Sequence, residues 1–181
     1  VGSPERMKDV CKLITKSGEP TFTVLSAMSG TTNSLLEISN YFYKKNIDGA
    51  HDIINQLKKK YMKHVDELYT DNDIKAEITE LLNDRFQYLH AFSKDTFTSF
   101  EERAVVAQGE IMSTNMVVAY LKQIGIKATL LPALDFMKID KNQEPDMTFI
   151  KENLKNLLDE NTGYQIYITQ GFICRNAYGE I

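Results

Sequence analysis

The chain has 181 residues, 43% of them hydrophobic, with four prolines, nine glycines and a formal net charge of -4, the makeup of one globular domain rather than a disordered segment. Acids and bases are interspersed without the basic stripe that neutralises a phosphate backbone, which argues against nucleic acid as a partner. The longest apolar runs, such as residues 128–134, fall far short of a bilayer span and the N-terminus lacks a signal pattern, so a cytoplasmic protein with no membrane partner is expected.

In chain order, residues 21–26 read as the first strand, by their β-branched and aromatic content. The strand runs into a small, hydroxyl-rich turn, Ser26-Ala27-Met28-Ser29-Gly30-Thr31-Thr32-Asn33, and then into a helix over 33–45. Ser34 followed by Glu37 has the capping-box spacing, so the helix should begin near there, with its free N–H groups and positive dipole end pointing back at the turn. Such a terminus favours a carboxylate or phosphate; the same hydroxyls also serve simply as helix caps. The turn is no Walker motif, because no Gly-Lys-Ser/Thr follows.

Residues 47–99 predict two amphipathic helices. The first spaces Ile53, Ile54, Leu57, Tyr61, Val65 and Leu68 along one stripe, and the second spaces Ile74, Ile78, Leu81, Leu82, Phe86 and Leu89. Thr70-Asp71-Asn72-Asp73 supplies the turn between them. This pair reads as a helical hairpin inserted in the domain, for packing or subunit contact rather than chemistry. Its three histidines, His51, His64 and His90, have no metal-ligand spacing and read as surface or packing residues.

A long helix over 100–123 contains Gln108-Gly109-Glu110-Ile111-Met112-Ser113-Thr114. Gly109 inside a helix costs about 1 kcal/mol against alanine, so its presence points to a close approach by another segment. Glu110 shares its face with Val106, Ala107 and Thr114 and is directed toward apolar surroundings, where a carboxylate needs a cationic partner. Arg103 or Arg175 could be that partner; so could the ammonium group of a ligand.

Strands follow at 126–131 and 165–169, separated by a helix over 147–159. The order helix, strand, helices, strand, helix, strand predicts an α/β domain with a mostly parallel sheet, and the nearly apolar strands predict cover on both faces. The last strand breaks at Gln170-Gly171-Phe172-Ile173, and Asn176 to Glu180 reads as a hairpin turn. Ligands of parallel α/β sheets bind beyond the carboxyl ends of the strands, where this segment and the first turn would both lie. Cys11 and Cys174 belong to no Cys-x-x-Cys or Cys/His cluster, so reduced thiols are expected, with no zinc or other metal site.

Four segments together resemble the aspartate kinases of the amino-acid kinase family. Val1-Gly2-Ser3-Pro4-Glu5-Arg6-Met7 looks like the continuation of the opening motif Lys-Phe-Gly-Gly-Thr-Ser-Val, and Ser26 to Asn33 is similar to the second glycine turn. Gly109 to Thr114 looks like the acidic helix motif, and Gln170 to Ile173 like the strand-end motif. The resemblance implies an incomplete three-layer amino-acid-kinase fold and transfer of the γ-phosphoryl group of ATP, with magnesium, to the side chain of L-aspartate. The product would be 4-phospho-L-aspartate, on the way to lysine, threonine and methionine. It further implies that Thr32 contacts aspartate, that Glu110 binds its α-ammonium group, and that Ser26 lies beside the phosphoryl-transfer centre.

The chain also departs from that pattern. It begins after the lysine- and glycine-bearing strand and stops before the Gly-Arg-Gly-Gly-Ser-Asp segment, so residues 1–181 are expected to be a partial kinase domain. On that expectation the helical insertion covers about 47–99, while the nucleotide-binding half and the regulatory domains are absent. The 181 residues alone should then have negligible kinase activity and no cofactor-binding motif of their own. Cys174 stands where the family more often has a small residue. An exposed sheet edge predicts a homo-oligomer. Two other readings are a family member with a different acceptor and a non-catalytic interaction module centred on 47–99.

Overall fold

The structure, a computed structural model, describes residues 2–92 and 96–181. Val1 of the opening motif, and residues 93–95 at the end of the expected hairpin, lie outside the described residues. Helix α1 spans Pro4–Thr15, with the Ser3 hydroxyl accepting from the Arg6 amide and proline in the first turn, an arrangement suited to a helix start. Strand β1 (Thr21–Leu25) leads to α2 (Thr31–Tyr43), and α3 (Ile47–Leu68) and α4 (Asn72–Ala91) fold back on each other. Helix α5 (Ser99–Gln123) starts in a capping box made by Thr98 and Glu101. Strand β2 (Ala128–Leu130), the short α6 (Ala133–Phe136), α7 (Met147–Glu160) and β3 (Ile166–Gln170) complete the chain.

The sheet order is β1-β3-β2 and both pairings are parallel. This is the expected α/β fold with a parallel sheet. Leu25 pairs with Gln170 and Leu130 with Ile168, so all three carboxyl ends lie at one edge of the domain, the edge where loops can gather around a ligand. Central β3 is buried along most of its length, with Ile166 and Ile168 fully covered.

Strand β1 differs from the expectation of cover on both faces. Phe22 and Val24 are 43% and 60% exposed, while Thr21, Thr23 and Leu25, on the other side of the strand, are half-buried. Helices α1 and α5 pack on β1, and among the described residues no element covers its Phe22/Val24 side. An apolar run cannot by itself distinguish an open face from a covered one.

Helices α3 and α4 share one core with the rest of the domain. Ile54, Tyr61, Leu82 and Phe86 belong to the same buried cluster as Met112 and Val117 of α5 and Ile166 of β3. Gln123 at the end of α5 fastens the pair: its Oε1 accepts from the amides of Thr70 (2.7 Å) and Asp71 (3.0 Å), and its Nε2 donates to Leu68 O (3.1 Å). His51 and His90 stack edge to face at 4.5 Å between ring centres. Among the described residues no helix is long and apolar enough to cross a membrane.

Candidate functional site

The turn after β1 is built around one glycine. Gly30 has φ of +80°, the left-handed region that glycine enters without a Cβ penalty, and from it the chain passes directly into α2 at Thr31. The helix therefore begins three residues before Ser34, and the expected capping box does not form. Ser34 Oγ instead donates back to Gly30 O (3.2 Å), and among the described residues no side chain caps the helix start. The Thr31 and Ser34 amides bond Met28 O and Gly30 O, whereas those of Thr32 and Asn33 have no acceptor among the described residues. A helix start of this kind suits an anionic ligand group.

Gly109 explains itself in three dimensions. A Cβ there would stand 2.9 Å from Ala27 Cβ, 3.2 Å from Leu35 Cδ1 and 3.3 Å from Thr31 Cγ2. The missing side chain lets the turn and α2 lie directly on α5, which brings the next residue, Glu110, beside the turn. Glu110 is only 6% exposed, and its Oε1 accepts from the Ala27 amide at 3.3 Å. Neither arginine considered from the sequence neutralises it. Arg175 Nε donates to Leu134 O (2.9 Å) and its guanidinium also reaches Gly179 O (2.7 Å), tying down the C-terminal turn. Arg103 stays exposed on α5, and no ion pair to Glu110 occurs among the described residues. Burial pushes the Glu110 carboxyl above the ordinary carboxylate range, against the lowering effect of the backbone amides it meets.

Direct hydrogen bonds join the three segments singled out in the sequence. Besides the Ala27–Glu110 bond, Ser113 Oγ donates to Ser26 O (2.8 Å), and Gln170 Nε2 donates to Thr114 Oγ1 (2.9 Å). Gln170 Oε1 in turn accepts from the Ala133 amide (2.7 Å), which fixes α6. Thr32 and Glu110 line the same cavity, of about 720 Å³, together with Arg103, Asp140, Cys174 and Tyr178. Ser26 is not part of that lining. It lies at the carboxyl end of β1, where its Oγ is 3.8 Å from the place a Cβ on Gly171 would occupy.

Phe172 of the strand-end segment also lines the cavity, as does the 139–143 segment, which sequence reasoning missed. Phe172 is fully exposed and has φ of +66°, a backbone state that bulky residues rarely adopt. The Asp140-Lys141-Asn142 run carried a turn signal that could have found its segment, since Asp140 Oδ1 accepts from the amides of Asn142 (2.7 Å) and Glu144 (3.0 Å). Both cysteines are free thiols. Among the described residues no cluster of three or more His, Cys, Asp or Glu could hold a metal ion.

A polar turn on a parallel strand end thus packs on a helix glycine and faces a buried acid, and the amino acid kinase family model matches residues 1–181. The chain belongs to the amino acid kinase family. It is 27% identical over 187 residues to bifunctional aspartokinase/homoserine dehydrogenase 1, chloroplastic, of Arabidopsis thaliana, covering 96% of this chain and 20% of that protein. Identity to aspartokinase 1, chloroplastic, of the same plant is 32% over 138 residues, covering 75% of this chain and 24% of that one. Among solved structures, E. coli aspartokinase III in complex with aspartate and ADP superposes with a TM-score of 0.77 over 99% of this chain and 40% of its own. At 23% identity that likeness speaks for the fold. This member of the amino acid kinase family thus spans about a fifth to a quarter of the length of the curated relatives it matches.

Proposed function

We propose that this chain forms the acceptor side of an aspartate kinase, which transfers the γ-phosphoryl group of ATP to the side-chain carboxylate of L-aspartate. The observation that carries the reading is Glu110: a buried carboxylate with no ion-pair partner among the described residues, sharing a cavity with Thr32. A carboxylate so placed is stabilised when a ligand brings an ammonium group. Glu110 would hold the α-ammonium of aspartate, and Thr32 on its open helix start would contact the substrate. Ser26, at the strand end, would stand beside the transferring group. A bond then forms between a side-chain carboxylate oxygen and the γ-phosphorus, the bridging P–O bond breaks, and ADP leaves. Such a transfer relies on positioning and charge stabilisation rather than on a covalent nucleophile.

The aspartokinase relatives, and the aspartate and ADP named for the E. coli structure, support this choice of substrates. Magnesium in this chemistry neutralises phosphate charge; among the described residues no cluster of three or more His, Cys, Asp or Glu would hold it. The reading includes a cytoplasmic location, negligible turnover by the 181 residues alone, and self-association. Exposed Phe22 and Val24 on edge strand β1 support the last, and sedimentation across concentrations tests it. The reaction is tested by ATP-dependent aspartyl-hydroxamate formation with the natural protein at full length, run beside the 181-residue chain, with L-glutamate and N-acetyl-L-glutamate as competing acceptors. Activity confined to L-aspartate is expected; activity on another acceptor with none on aspartate would move the chain to a different branch of the family.

A further inference from the structure

Two neighbouring residues of α3 reach the acceptor turn. Lys60 Nζ donates to Ser29 O at 2.8 Å, and the Tyr61 hydroxyl shares a hydrogen bond with Thr31 Oγ1 at 3.1 Å. Tyr61 and Thr31 are both fully buried. A buried phenol hydroxyl needs a partner, and Thr31 is the one the fold supplies. Burial also pushes that hydroxyl well above the usual phenol range. Thr31 is gripped from two other sides: its amide donates to Met28 O (2.9 Å), and its Cγ2 lies 3.3 Å from where a Cβ on Gly109 would stand. It is the first residue of α2, next to Thr32 of the cavity lining.

We propose that Tyr61 is a positioning residue of the acceptor site: its hydroxyl fixes Thr31, and through Thr31 it fixes the turn that sets Thr32 and the Ala27 amide against Glu110. This rests on the aspartate reading of the site. The helical pair thereby serves the chemistry through one buried hydrogen bond, although none of its residues lines the cavity.

Tyr61→Phe removes the hydroxyl and keeps the ring that packs edge to face on Phe86 at 5.7 Å, so the fold should survive. In that variant amide hydrogen exchange at Ala27, Thr31 and Ser34 should quicken while exchange on α3 stays unchanged. The dissociation constant for L-aspartate, measured on the same chain by calorimetry, should rise by up to about tenfold, the ceiling set by the net worth of one buried hydrogen bond. Thr31→Val should do the same, Thr31→Ser should keep the affinity, and combining Tyr61→Phe with Thr31→Val should add nothing further, because one bond is removed twice. A residue that merely supports the core would give additive losses and no rescue by serine. Unchanged exchange and affinity in Tyr61→Phe, or additive losses in the double variant, would overturn the inference alone. Failure of the unaltered chain to bind L-aspartate would overturn the aspartate reading and the inference with it, whatever the exchange shows.

Discussion

Replacing Glu110 by glutamine separates a binding carboxylate from a structural one. The change keeps size and shape, and the new amide oxygen can still accept the Ala27 N–H that Glu110 now takes at 3.3 Å. What it deletes is a charge that is 6% exposed and unpaired among the described residues. In the unliganded protein that charge is a burden. Its folded-state carboxyl sits above the unfolded value, so the wild-type fold loses stability as pH rises through that window and regains it on acidification. Glutamine should abolish this contribution to the pH dependence and raise the melting temperature at neutral pH, because the buried charge is gone. Ligand binding should move the other way. Losing one charge-assisted hydrogen bond to an ammonium group costs about 1.5–3 kcal/mol, hence roughly a ten- to hundredfold weaker dissociation constant for L-aspartate. Thermal melting from pH 4 to 8 and calorimetric titration, both with wild type as reference, measure the two effects. A variant that melts lower and binds aspartate as well as wild type would refute the reasoning and make Glu110 a structural residue.

Three other outcomes follow from the geometry. Gly109→Ala gains about 1 kcal/mol in helix propensity but must force a Cβ against Ala27 at 2.9 Å, an overpacking cost of about 1–3 kcal/mol. Its melting temperature should fall and its aspartate affinity drop, while a rise in melting temperature would show that the turn is not seated on this glycine. Gln170→Leu strands the buried Ala133 amide and removes the bond to Thr114, so denaturant unfolding should report a loss of about 1–3 kcal/mol. Native alkylation should label Cys174 and spare Cys11, whose thiol burial pushes up to about 12. Burial raises Cys174 as well, so its labelling should be slow at neutral pH, quicken as pH rises toward the thiolate, and be slowed by L-aspartate, because the residue lines the cavity. Mass spectrometry of the labelled chain reads all three effects.

Much of the architecture was legible because it is local. The expected strands at 21–26, 126–131 and 165–169 differ from those observed by one or two residues at their ends, and the 3.6-residue stripes of α3 and α4 carried their buried faces, from Ile54 to Leu89. Gly109 was legible as a close approach, although only the fold says that Ala27 and Thr31 make it. Misreadings arose where one pattern fits two geometries. Ser34 and Glu37 have capping-box spacing, yet Gly30 enters the helix earlier by its positive φ. Phe22 and Val24 look like interior residues, yet they sit on an open face. The Tyr61–Thr31 bond joins positions thirty residues apart, and Arg175 is occupied by carbonyls of α6 and the last turn; no spacing rule reaches such contacts.

The most direct test of the account is a backbone amide NMR titration of the chain with L-aspartate. It predicts saturable shifts at Ala27, Thr32, Glu110 and Cys174, the residues that surround or touch the cavity, with the outer face of α4 unmoved. Shifts that never saturate, or that gather away from Thr32 and Glu110, would contradict it.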